Sequence, residues 1–134
     1  MTEFITAGEV ADGPKPVVFV LSDARGKTAV GVVEAAADQF VDDAIVVKQL
    51  GNVSNVEMVC DYLDKNREET TPTAVFHTIA DKNLRRDIRR ELDRRGIPSV
   101  DLLGPAITVI ASLTGEEPQG VSGRRTSVSI QELL

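Results

Sequence analysis

Between residues 17 and 115 the chain alternates short apolar runs with segments in which apolar residues recur every three or four positions. Residues 17–21 are a continuous β-branched and aromatic run, the pattern of a strand buried on both faces. The run leads through Ser22-Asp23-Ala24-Arg25-Gly26 into a segment where Ala29, Val32, Val33, Ala36 and Phe40 fall at helical spacing. The alternation then repeats. Residues 44–48 read as a second strand, and residues 54–68 as a helix with Val56, Val59, Cys60 and Leu63 on one face. Ser54-Asn55-Val56-Glu57 fits a capping box at its start. Residues 73–79 read as a third strand, and residues 82–95 as a helix whose narrow stripe is Leu84, Ile88 and Leu92, stopped by Gly96 and Pro98. Residues 99–102 make a short fourth strand; Gly104-Pro105 opens a last helix, and Gly115 ends it.

Four strands alternating with four helices predict a three-layer α/β/α fold around a mainly parallel four-stranded sheet, because parallel neighbours require crossovers that helices supply. Residues 1–16, with Gly8, Gly13, Pro14 and Pro16 and no apolar period, read as a tail. Residues 116–134 open on a polar stretch with Pro118, Gly120 and Gly123 and read as a linker or C-terminal extension.

In an open parallel sheet, ligands bind outside the carboxyl ends of the strands. Those ends hold Ser22 and Asp23, Thr78 with Asp81 beyond it, and Asp101. The loop from Ser22 to Thr28 joins a strand to a helix whose first N–H groups lack partners and whose dipole favours an anion, so phosphate is its natural guest. Gly26-Lys27-Thr28 matches the end of a P-loop, but Leu21 stands where the first glycine belongs, which excludes a Walker-A motif. The bland alternative is a strand–helix turn that uses Gly26 for backbone freedom and Ser22 or Asp23 as caps. Asp23 and Asp101 could also face one crevice as acid and base, although carboxylates are frequent at strand ends.

Composition narrows the rest. Fifteen basic residues against 21 acidic ones leave a formal charge of −6, so an anionic partner must use a local patch. The third helix supplies one: Lys82, Arg85, Arg86, Arg89, Arg90, Arg94 and Arg95 face only Asp87, Glu91 and Asp93, a local charge of +4. Such a helix is either a solvated face laced by pairs such as Glu91 with Arg95, or a docking surface for an acidic partner, with Arg85, Arg86, Arg89 and Arg90 as the docking residues. Nucleic acid is disfavoured, since no aromatics interleave the arginines. One cysteine, Cys60, excludes an internal disulfide; with the single His77 it is also too few for a Cys/His zinc site, so no metal is expected. Cys60 reads as a small core residue, and His77, inside the third strand, as a histidine with a structural hydrogen bond. No apolar run approaches the roughly 18 residues of a membrane span and no signal-like segment opens the chain, so a cytoplasmic protein is expected.

Three successive segments carry a family resemblance. Val18-Phe19-Val20-Leu21-Ser22-Asp23 followed by Gly26, Thr28, Ala29 and Gln39-Phe40 is one. Val75-Phe76-His77-Thr78 with Asp81 and Leu84-Arg85 is the second, and Gly96-Ile97-Pro98 running into Asp101-Leu102-Leu103-Gly104-Pro105 is the third. In this order and spacing they resemble the N-terminal region of the pyruvate, phosphate dikinase regulatory proteins, a family that includes the phosphoenolpyruvate synthase regulators. The resemblance implies a bifunctional regulator that uses ADP to phosphorylate a threonine of its target and uses phosphate to remove that group, releasing pyrophosphate. It also implies a longer protein, whose nucleotide P-loop lies in a kinase domain C-terminal to the matched region. Gly120-Val121-Ser122-Gly123-Arg124-Arg125-Thr126-Ser127 lacks that loop's lysine. The chain is therefore expected to be a regulatory or target-binding domain, inactive alone and with no cofactor of its own. Its partners would be the dikinase or the synthase, the absent kinase domain and a second copy in a homodimer. Arg25 and Lys27 depart from the family's threonine and glutamate, so roles carry over only to Ser22, Asp23, Gly26, Thr28, Thr78 and Asp101. The alternatives are a stand-alone module binding phosphate or a phosphoprotein, an independent phosphotransferase or phosphatase, and a pure interaction module assembling through the apolar last helix.

Overall fold

A computed structural model describes residues 13–122. The element order is β1 (Val17–Ser22), α1 (Lys27–Ala37), β2 (Val46–Leu50), α2 (Val56–Asn66), β3 (Thr73–Thr78), α3 (Lys82–Arg94), β4 (Ser99–Asp101) and α4 (Gly104–Thr114). The strands form one parallel sheet in the order β2-β1-β3-β4. The three-layer α/β reading holds.

Side-chain alternation along the strands divides the core. Phe19, Leu21, Val75 and Ile79 meet Val59 and Leu63 of α2 and Ile88 and Leu92 of α3 in one buried cluster. Val18 and Val20 meet Ala29 and Val33 of α1 on the opposite face. The stripe predicted for α3 is realised, with Ile88 and Leu92 fully buried and Leu84 packed at the margin.

Several boundaries shift. β2 begins at Val46 instead of residue 44, because its partner β1 begins at Val17 and the register joins Val17 to Val46 through Leu21 to Leu50. Asp43, at φ 58°, turns the chain just before it. α2 is capped by Asn55, whose Oδ1 accepts from the Met58 N–H at 3.0 Å, so the capping box expected from Ser54 is one residue out of step. Cys60 is only half-buried and lies outside both clusters. Gly96 (φ 69°) and Gly115 (φ 70°) end α3 and α4 in the left-handed conformation expected at those stops. No helix among the described residues is long and apolar enough to cross a membrane.

Candidate functional site

In the order β2-β1-β3-β4 the chain leaves β1 toward one edge and β3 toward the other, so the switch point of the sheet lies between these strands. Their register pairs Ser22 with Thr78, and both residues face the side on which α1 packs. There they line a cavity of about 430 Å3 with Asp23, Ala24, Arg25, Gly26, Lys27, Thr28, Leu103 and Ser122. Six residues read from the sequence, Ser22, Asp23, Gly26, Lys27, Thr28 and Thr78, thus converge.

The loop is pinned on both sides. Asp23 Oδ2 accepts from the Ala80 N–H at 2.8 Å, which ties β1 to the turn after β3. Ser22 Oγ accepts from the Ala24 N–H at 2.9 Å. From the other side, the Asn52 N–H donates to Ala24 O at 2.9 Å, and a Cβ on Gly51 would stand 2.7 Å from that oxygen. Ser22 and Asp23 therefore shape the loop and do not cap α1, contrary to the cap role open to them in the sequence. The N-cap of α1 is Gly26, at φ 82°, and no side chain among the described residues accepts from the first N–H groups of the helix. Arg25 and Lys27, both exposed, flank these free donors. The arrangement offers backbone N–H groups, a hydroxyl and two cations to an anion.

Asp101 does not join them. Its register partner in β3 is His77, so its carboxylate lies on the α3 side of the sheet, away from Thr78. Oδ1 accepts from the N–H groups of Leu103 (3.0 Å) and Gly104 (2.7 Å), and Oδ2 lies 3.4 Å from Arg85 Nε. A Cβ on Gly104 would collide with Asp101 Oδ2 and stand 2.9 Å from Arg85 Nε, so this approach needs glycine. The acid–base pair of Asp23 and Asp101 is not formed: Asp23 lines the cavity and accepts from the Ala80 N–H, while Asp101 lies outside its lining, accepting from Leu103 and Gly104 beside Arg85. Asp81 likewise serves as a cap, accepting from Asn83 and Leu84 at the start of α3.

His77 is 1% exposed, and neither ring nitrogen has a hydrogen-bond partner among the described residues; Nδ1 lies 4.0 Å from Asp101 Oδ1. The structural hydrogen bond expected of it is not made among the described residues. Burial lowers its pKa, opposed by the Asp101 carboxylate and reinforced by Arg85 and Arg89.

On α3 the arginines divide. Arg85 is held by Asp101 and donates to Ile79 O at 2.8 Å, which makes it structural and not a docking residue. Arg95 pairs with Asp64 and Glu91, the latter being the predicted i,i+4 bridge. The guanidinium of Arg94, hydrogen-bonded to Glu91, is the largest of the effects that hold this carboxyl at about 2. Arg86 bonds the neighbouring Asp87. Arg89 and Arg90 are exposed and make no ion pair among the described residues.

Leu103, Ser122 and Ala24 were not legible as site residues. Ser122 arrives because the segment after α4 turns back toward the strand ends, passing with Gly120 Cβ space 3.9 Å from Asp81 Cα, a path no local pattern encodes.

The model of the kinase/pyrophosphorylase family matches residues 18–132. The chain belongs to this family. A pyruvate, phosphate dikinase regulatory protein of Citrifermentans bemidjiense is 32% identical over 106 residues, covering 79% of this chain and 38% of that protein. A second such regulatory protein, from Syntrophomonas wolfei, is 32% identical over 108 residues, covering 81% and 39%. One from Halalkalibacterium halodurans is 32% identical over 105 residues, covering 78% and 38%. The chain spans about two fifths of the length of these curated relatives.

Proposed function

We propose that this chain serves as the N-terminal, target-recognising part of a regulator of pyruvate, phosphate dikinase or phosphoenolpyruvate synthase in the cytoplasm. In this reading ADP-dependent phosphorylation and phosphate-dependent removal belong to a further kinase domain, and the chain alone does not turn over. The observation that supports it best is the convergence of Ser22, Gly26, Lys27, Thr28 and Thr78 on one cavity at the switch point, within the stretch that matches the family. The cavity receives a phosphoryl group or free phosphate on the uncapped N–H groups of α1, with Lys27 and Arg25 supplying charge and Thr28 a hydroxyl. Arg86, Arg89 and Arg90, on the outer side of α3, offer docking charge to an acidic surface of the target enzyme.

Calorimetric titration with phosphate, ADP and the dikinase tests the reading. Millimolar phosphate binding that Lys27→Ala weakens severalfold, silence toward ADP, and dikinase binding that Arg89→Glu with Arg90→Glu weakens are the expected results. Micromolar ADP binding would mean that the nucleotide site lies in this chain and would overturn the division of labour.

A further inference from the structure

We infer that the carboxyl end of α1 is a docking surface for a basic, amphipathic segment of a partner protein. The apolar side chains of that segment fill a groove beside Phe40, and its lysines or arginines meet the carboxylates around it. The groove lies on the side of the sheet where α1 packs. Val18 and Phe76 of the sheet, Val33 and Ala37 of α1, and Phe40 and Ile45 of the α1–β2 connection line about 430 Å3, and every residue of the lining is apolar. Hollows of this size and character receive apolar groups from outside. Phe40 falls at the spacing of the α1 stripe, yet the helix ends at Ala37 and leaves it 71% exposed, with Val41 beside it at 62%. Hydrogen-bonded turns hold it there. The Gln39 N–H donates to Ala36 O at 3.1 Å and the Phe40 N–H to Ala37 O at 3.0 Å, before Asp43 at φ 58° turns the chain into β2. Two adjacent large apolar side chains on a built turn, continuous with an apolar hollow, make a patch and not a scattered exposure.

Charge selects the occupant. A second hollow of about 580 Å3 shares Phe40 and Val41 with the groove and adds Glu34, Asp38, Asp42 and Asp43. All four carboxylates are exposed, and none makes an ion pair among the described residues. No lysine or arginine occurs between residues 28 and 47 to offset them. Glu34 and Asp38 stand at the negative pole of their own helix, whose last turn holds no basic residue, so a cation brought from outside relieves a repulsion that the fold leaves in place. The acids are not grouped as metal ligands among the described residues, and their charge repels nucleic acid and anionic membranes. A helix or turn with an apolar stripe and a flanking row of lysine or arginine matches both halves of the surface. The patch is opposite in sign to Arg86, Arg89 and Arg90, whose helix packs on the other side of the sheet.

The groove lies at the opposite end of α1 from Gly26, so the inference survives if phosphate does not bind. The probe is a fluorescently labelled helical peptide of leucine and lysine, with leucines at i, i+3, i+4 and i+7, titrated with the full chain and read by anisotropy. It should bind in the micromolar range and shift the amides of Ala37, Phe40 and Val41, while the same peptide with glutamate for lysine stays free. Phe40→Ala should weaken binding about tenfold, and Glu34→Lys with Asp38→Lys by at least as much. Asp61→Lys with Glu69→Lys makes the same change in net charge at exposed positions away from the groove and should leave binding within about twofold. All these positions are exposed, and an unchanged thermal unfolding curve checks each fold; Asp38→Lys should hold or raise the midpoint, since a cation suits the carboxyl end of a helix. No binding of the lysine peptide, or equal binding of the glutamate one, would overturn the inference. Equal losses from the two charge-reversed pairs would reduce it to unspecific attraction and overturn it too. So would sedimentation in which the chain doubles in mass without peptide and Phe40→Ala abolishes the doubling, because the groove would then belong to a second copy.

Discussion

Two helices begin at the same edge of the sheet, and they begin differently. α4 starts with a carboxylate in place: Asp101 accepts from Leu103 and Gly104 and faces Arg85, so its first donors are satisfied. α1 starts on Gly26 with no side-chain acceptor, next to Arg25 and Lys27. The loop that could have supplied an acceptor turns Asp23 away to Ala80 instead. A helix start that carries its own anion is structural; the start of α1, built without one, is the place where we propose that phosphate binds.

Substitutions at the two ends should therefore separate stability from binding. Asp101→Ala removes the α4 cap and leaves Arg85 without its carboxylate, so it should cost about 2–3 kcal/mol in urea unfolding while leaving phosphate affinity at Gly26 to Ala29 unchanged. Gly104→Ala forces Asp101 and Arg85 apart and should cost about 1–3 kcal/mol by the same measurement. Asp23→Ala, which frees the Ala80 N–H, should cost about 1–2 kcal/mol and also loosen phosphate binding, because it releases one anchor of the loop. Thr28→Ala should change stability by less than about 0.5 kcal/mol and still weaken phosphate severalfold. A Thr28 variant that unfolds the domain, or an Asp101 variant that abolishes phosphate binding, would erase the contrast.

The α4 end also carries a pH dependence. His77 titrates lower in the folded chain than in the unfolded one, so the unfolded state binds the extra proton. Stability should be full above the ordinary histidine value of about 6.5 and fall as the pH drops below it toward the folded value. Urea midpoints between pH 7.5 and 5 should show this slope, and His77→Leu should flatten it. Glu91 adds a further loss only in stronger acid, between its ordinary carboxyl range and its folded value of about 2.

The sheet was legible because β1 is a near-continuous apolar run, because β3 carries Ala74, Val75 and Phe76 at its centre, and because α3 repeats Leu84, Ile88 and Leu92 at helical spacing. The glycine loop was legible as a place, since a strand end, Gly26 and a following helix locate it. What sequence order alone did not resolve is which face of the sheet each strand-end residue takes. Asp101 stands at a strand end like Thr78, but the register sets it beside His77, one step out of phase with the Thr78 face. Asp23 reads equally well as a cap or an acid until the turn at Ala80 is seen to claim it. Arg85 looks like its basic neighbours on α3, yet one step in helical phase turns it toward Asp101. Each of these depends on tertiary register, which local pattern does not encode.

The most direct measurement is the amide spectrum of the labelled chain titrated with inorganic phosphate. The N–H groups of Lys27, Thr28 and Ala29 should shift at millimolar concentration, while that of Gly104, already donating to Asp101 outside the cavity, should stay still. Shifts confined to the α4 end, or none at α1, would contradict the account.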